Sequence, residues 1–252
     1  MTEEAVPTRS DRVAKERRGK TRRRRRSTKL FFRDLLVIVV VAVLVSFLVK
    51  TFVVRSFYIP SASMENTLQI NDRIIVNELE PGLVPISHGD VVVFRDPGGW
   101  LPPQPPTRQS PLAQAVDSAL TFVGLSASDS DDHLVKRVIG LPGDHVACCN
   151  ANGRITVNGT PIDEPYILLQ PGNVNAATLA FDVTVPKGEL WVMGDNRYNS
   201  QDSSRNQSLP GHGFVPIDHV VGRAFVISWP AGRWTWLDNY PDVFRGVEED
   251  KR

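Results

Sequence analysis

The chain has 252 residues and a formal net charge of +1, but its charges are segregated: residues 1–34 carry 13 Lys/Arg against 5 Asp/Glu, and the remainder 16 against 23. The basic block Arg22–Arg26 lacks the interleaved aromatics of a nucleic-acid surface, which argues against a nucleic-acid partner. The only two cysteines, the adjacent Cys148 and Cys149, cannot supply the four ligands of a structural zinc, so no metal site is expected.

Taken in chain order, residues 1–31 are charged and aperiodic, which predicts a disordered basic tail held on the cytoplasmic side. An apolar run follows, Leu35–Val49, interrupted only by Ser46. As a helix its fifteen residues rise roughly 22 Å, so spanning a ~30 Å hydrocarbon core draws in the flanking residues, with Lys50 snorkelling. Residues 32–54 are therefore expected to form one transmembrane helix, N-terminus inside. A cleavable leader is disfavoured by the long basic stretch and by the bulky Phe52, Phe57 and Tyr58 before the small residues Ser61, Ala62 and Ser63.

Beyond the membrane, short apolar runs recur between turn signals: Arg73–Val76, Asp90–Phe94, Leu134–Ile139, Arg154–Val157, Leu190–Met193 and Arg223–Ser228. Asn158-Gly159 is a hairpin signal. The pattern predicts a mainly β extracytoplasmic domain. Its parts are read as a catalytic core over 55–144 and 188–236, a smaller β subdomain over 145–187 and a C-terminal tail over 237–252. Residues 97–132, rich in Pro, Gly, Ser and Asp, read as an insertion in a loop or on the surface, and Gln170–Thr178 as a second loop.

Three segments carry candidate chemistry: Ile59-Pro-Ser-Ala-Ser-Met-Glu-Asn-Thr-Leu68, Leu134-Val-Lys-Arg-Val-Ile-Gly-Leu-Pro-Gly-Asp144 and Met193-Gly-Asp-Asn-Arg-Tyr-Asn-Ser-Gln-Asp202. Strand alternation sets Lys136 on one face with Leu134 and Val138, and Arg137 on the other with Val135 and Ile139. Apolar neighbours disfavour the ammonium and lower the lysine pKa. By themselves these residues also allow a snorkelling lysine, and Pro60-Ser-Ala-Ser also suits a simple turn. A histidine triad from His88, His133, His145, His212 or His219 is poorly supported, since His88 and Asp90 share one strand-entry turn.

The three segments, in this order, resemble the bacterial type I signal peptidases, the membrane-bound Ser/Lys endopeptidases of peptidase family S26. The resemblance covers most of residues 30–230. It implies a signal-peptidase-like coiled β-sheet or barrel on one transmembrane anchor, with Ser63 as nucleophile and Lys136 as general base. It also implies an oxyanion hole from the Ser61 hydroxyl and the Ser63 backbone N–H, and Ser200 orienting the lysine. Arg137, Asp195, Arg197 and Asp202 match the supporting network, with Asp202 the expected partner of Arg137. The substrate wall corresponds to Phe57, Ile59, Pro60, Met64, Leu68, Leu134 and Val135, and small residues are expected at substrate positions −1 and −3. No cofactor is implied; the partners are secretory preproteins and membrane lipid.

This chain departs from the family pattern at Asn66 and Tyr198, and at Arg205, which is shifted by one position. These departures bear on the salt-bridge partner and the loop shape. Two other classes compete, a surface transpeptidase using Cys148 or Cys149 and a silent membrane-tethered β module. Each has its own test, inhibition by thiol reagents for the first and unchanged processing in Lys136→Ala for the second.

Overall fold

The computed structural model describes residues 31–47, 53–102 and 132–249. Residues 31–47 are helical and expose Leu36, Ile38, Val40 and Val43. Among the described residues no helix is long and apolar enough to cross a membrane. The expected span 32–54 runs through residues 48–52, which lie outside the described ones, as does the tail 1–30. At its end the expectation is corrected: residue 53 is in a turn and Val54–Tyr58 is a strand. Alternation explains this, since Phe57 is buried in the pattern of a strand paired on one side.

Residues 50–252 form one compact unit. Its larger sheet joins β1 (Val54–Tyr58), β2 (Arg73–Asn77), β3 (Val91–Arg95) and β4 (His133–Gly140) to later strands of the chain. A smaller sheet follows, made by β5 (His145–Cys148), β6 (Thr156–Val157), β7 (Thr160–Pro161) and β8 (Phe181–Thr184). The chain then returns to the larger sheet with β9 (Glu189–Met193), β10 (Val215–Pro216), β11 (Val220–Trp229) and β12 (Thr235–Trp236).

The larger sheet has the order β1-β2-β11-β3-β4-β9-β10, with β12 on β11, and the smaller has the order β7-β6-β5-β8. All of these pairings are antiparallel. The hairpin between β6 and β7 turns on Asn158 and Gly159, both at positive φ, 53° and 82°. Two such residues in sequence give the type I′ turn that matches strand twist, as the sequence predicts.

Alternation divides the apolar residues among three buried clusters. Val91 and Val93 join Phe57, Ile74 and Met64, whereas Val92 and Phe94 join Leu134, Val138 and Val192. A strand buried on both faces has to read as a continuous apolar run, and β3 does. The third cluster joins Ile139, Trp191 and Met193 to Val146, Val157 and Phe181 of the smaller sheet.

Two boundary readings change. Trp100 is buried against Phe94, and the Asp96 carboxylate accepts the N–H groups of Gly98, Trp100 and Leu101, so the start of the 97–132 segment is part of the core. Residues 103–131 lie outside the described residues. The segment after residue 236 is not a free tail either. Leu237, Phe244 and Val247 are buried and a short helix covers Arg245–Glu249, because these side chains remove apolar surface from water against the two clusters.

Candidate active site

Ser63 sits in a single 3₁₀ turn, Ala62–Met64, between strands β1 and β2. The turn is fixed from below, where Met64 and Leu68 are buried with Phe57 and Ile59. It is fixed from the side by Asn196, whose N–H donates to Ser63 O at 3.1 Å. The Asn196 amide group also donates to Ala62 O and to Glu65, each at 3.1 Å. Gly194 makes this approach possible, since a Cβ there would stand 2.5 Å from Ser63 O and 2.3 Å from Ser200 Oγ.

Lys136 lies opposite Val92 in β4 and is 3% exposed. Its Nζ is 2.8 Å from Ser63 Oγ, and it donates a second bond of 2.9 Å to Val135 O. Burial pushes the Lys136 ammonium from its ordinary 10.5 down to about 8, against the pull of the Asp202 and Asp195 carboxylates. A neutral amine is therefore within reach near physiological pH, in hydrogen-bond contact with a hydroxyl that it can deprotonate. Ser61 Oγ lies 3.4 Å from Ser63 Oγ on the more exposed side of the turn.

Arg137 is equally buried but has different partners. Its Nε and Nη2 donate to the two oxygens of Asp195 at 2.9 and 2.8 Å, and its Nη1 donates to the carbonyls of Gly89 and Asp238. Its guanidinium also stacks over Tyr166, 4.1 Å from the ring centroid. Burial pushes the Arg137 pKa down, but the Asp195 charge and hydrogen bonds outweigh it and hold the group above its ordinary value.

The partner of Arg137 is thus Asp195, which corrects the expectation of Asp202. Register is the reason: Arg137 pairs with Met193, so Asp195 follows β9 directly beside it. Asp202 is occupied by its own loop, accepting Gly194 N–H at 3.0 Å and the Ser204 hydroxyl at 2.7 Å. Arg197 clasps Glu164 of the 145–187 segment through two bonds of 2.8 and 2.6 Å and donates to Gly194 O at 2.9 Å. Among the described residues the shifted Arg205 side chain donates to Tyr198 O and stays outside this network.

Two further expectations meet a different geometry. The Ser200–Lys136 hydrogen bond is not formed: Ser200 Oγ is buried without a partner among the described residues, while Lys136 Nζ bonds Ser63 and Val135. Of the expected substrate wall, Phe57, Ile59, Met64 and Leu68 are core with Val135 packed against them, and Pro60 is exposed. Leu134 belongs to the separate cluster around Val92 and Val138, since strand alternation sends it away from Val135.

Sequence reasoning missed Thr67, Glu164 and Asn196 as site-building residues. Thr67 Oγ1 donates to Asp195 and accepts from Arg137 at 3.3 Å, which joins the Ser63 segment to the buried ion pair. No spacing signal marks Glu164, whose partner is 33 residues away. The histidine and cysteine alternatives lose their footing. His88 Nε2 pairs with Asp144 at 2.7 Å, and Cys148 is bonded to Cys149, so neither sulfur is a free thiol.

A mainly β protein with a buried serine–lysine contact is the class that fold and site define. The family model described as signal peptidase, peptidase S26 matches residues 32–229. Signal peptidase I of Mycobacterium tuberculosis is 39% identical over 235 residues, which cover 86% of this chain and 79% of the relative. The probable signal peptidase I-2 of Synechocystis sp. is 38% identical over 194 residues, covering 77% of this chain and 72% of the relative. A solved signal peptidase I from Enterococcus faecalis aligns with a TM-score of 0.35 at 22% identity, over 55% of this chain and 95% of that one. The chain belongs to the signal peptidase family S26: it is a serine endopeptidase, a hydrolase that removes signal peptides.

Proposed function

We propose that this enzyme works as a Ser63/Lys136 dyad on the outer face of the cytoplasmic membrane, cleaving secretory preproteins after small residues at −1 and −3. The observation that carries the reading is the 2.8 Å contact between a buried Lys136 Nζ and Ser63 Oγ. Neutral Lys136 takes the proton of Ser63 as Oγ attacks the scissile carbonyl. The Ser63 backbone N–H and the Ser61 hydroxyl then stabilise the oxyanion. The resulting ammonium returns its proton to the leaving amine, and the free amine next activates the water that hydrolyses the acyl-enzyme.

The substrate has a backbone to pair with. β4 pairs with β3 along residues 133–137 but with β9 only from Arg137 onward, so among the described residues no strand covers the edge at residues 134–136 beside Lys136. An extended peptide added there brings its carbonyls past Ser63, with Pro60 and Val135 as wall residues at the surface. Ser200 is kept as the residue that orients Lys136 when substrate is bound: its buried hydroxyl lies against Gly194 and has no partner among the described residues, so it is free to accept from Nζ.

Membrane placement rests on the apolar run Leu35–Val49 as a single anchor with the catalytic domain outside. Thirteen residues separate Val49 from Ser63, a reach of about 50 Å at most. Trp229, Trp234 and Trp236 are 58, 61 and 64% exposed and suit the headgroup zone of that bilayer. Cleavage of a preprotein by the detergent-solubilised full chain, compared with Ser63→Ala, is the decisive assay. Wild-type cleavage with no product from Ser63→Ala is expected, and equal rates would sink the proposal.

A further inference from the structure

The nucleophile turn belongs to a closed loop, residues 59–72. Ile59 N–H donates to Asp72 O at 2.9 Å and Asn71 N–H to Ile59 O at 3.0 Å. The Asp72 carboxylate, 1% exposed, accepts Gln69 N–H at 2.8 Å inside that loop. A residue far along the chain clamps its base. Arg233 Nε and Nη2 each donate to Asp72 at 2.9 Å, and Nη2 also donates to Thr67 O at 3.2 Å. Thr67 is therefore held twice, by Arg233 at its carbonyl and by the Arg137–Asp195 pair at its hydroxyl.

Arg233 ends the short turn Ala231–Arg233, between exposed Trp229 on one side and exposed Trp234 and Trp236 on the other. The last two rings pack edge to face, 6.2 Å apart. The Arg233 side chain is 31% exposed, so water screens this ion pair at its outer end. Covering the rings with lipid removes that water and lowers the local dielectric, which strengthens the guanidinium–carboxylate attraction.

We infer that Arg233 is a positioning residue that couples the tryptophan surface to the nucleophile loop, so that a lipid surface on the rings fixes Ser63 and raises kcat. This rests on the lipid-surface reading given above. The test uses the full chain in dilute non-ionic detergent, with and without phosphatidylcholine, and a peptide substrate carrying alanine at −1 and −3. A parallel sample uses brominated phosphatidylcholine to quench tryptophan fluorescence. Wild type should be quenched and should gain about fivefold in kcat, with KM little changed.

Arg233→Gln should be quenched equally yet show no lipid gain, and Arg233→Lys should recover part of it, because one ammonium cannot span both Asp72 oxygens and the Thr67 carbonyl. A wild-type gain in Arg233→Gln, with quenching intact, overturns the coupling and leaves the surface reading standing. No quenching in wild type overturns the surface reading and the coupling together. If Arg233→Gln fails to fold, Arg233→Lys decides: an intermediate gain supports the clamp, and the full wild-type gain overturns it.

Discussion

Lys136 and Arg137 are neighbours on one strand and almost equally buried, yet the fold treats them oppositely. Arg137 receives a two-pronged carboxylate, two carbonyls and an aromatic face. Lys136 receives one hydroxyl and one carbonyl, and its nearest carboxylates act only at a distance. Burial with a bidentate partner keeps a cation charged, whereas burial without one lowers its pKa. A lysine with a lowered pKa thus stands next to a cation that stays charged, and the difference lies in which partners the tertiary structure supplies.

The comparison breaks most severely at the dyad. Ser63→Ala and Lys136→Ala should each lower kcat at least about 10⁴-fold, with the double variant little worse, because nucleophile and base act as one unit. Single-turnover cleavage of a preprotein measures this. Substantial activity in Lys136→Ala would remove lysine from the base role.

On the Arg137 side the loss should appear as stability. Asp195→Ala leaves a buried guanidinium without its carboxylate and should cost about 3–5 kcal/mol in denaturant unfolding. A cost below about 1 kcal/mol would mean that water or another group replaces Asp195.

The two sides also differ in their response to pH. Lys136 has a folded pKa of about 8 against an ordinary 10.5, so between those values the unfolded chain binds more protons and stability rises with pH. The deficit is full below pH 8, absent above 10.5, and worth about 3 kcal/mol. Lys136→Met should therefore be more stable than wild type at pH 7 by up to that amount, with the difference gone above pH 10.5. Wild-type kcat/KM should climb through a pKa near 8 as the free amine appears. A basic limb that persists unchanged in Lys136→His and vanishes in His88→Ala would contradict this.

Ser61→Ala gives the smallest effect. Losing one oxyanion donor of two should lower kcat about a hundredfold, roughly 2.7 kcal/mol, with KM little altered. A loss as large as that of Ser63→Ala would place Ser61 in the proton-transfer step instead.

Much of this was legible before any coordinates. Short apolar runs located β3 and β4, alternation set Lys136 and Arg137 on opposite faces, Asn158-Gly159 marked a hairpin, and the resemblance of the three segments named Ser63 and Lys136. Short strands such as β8, β10 and β12 were not legible, because two to four residues carry too little periodicity to stand out. The C-terminal segment read as a tail because Phe244 and Val247 are isolated apolar residues in a polar stretch, and only the cluster that receives them shows their purpose.

What the sequence alone determined was which residues are chemically able: a serine in a turn, a lysine in an apolar strand, and carboxylates and an arginine in one loop. Residue type and local periodicity are properties of neighbours in the chain. Partner choice depended on strand register, which set Asp195 rather than Asp202 against Arg137 and brought Glu164 to Arg197 and Thr67 to Asp195. Those pairs are separated by 33 to 128 residues, so no local pattern encodes them; packing of the two sheets and the closed 59–72 loop decides which polar groups are buried together, and burial sets what each can do.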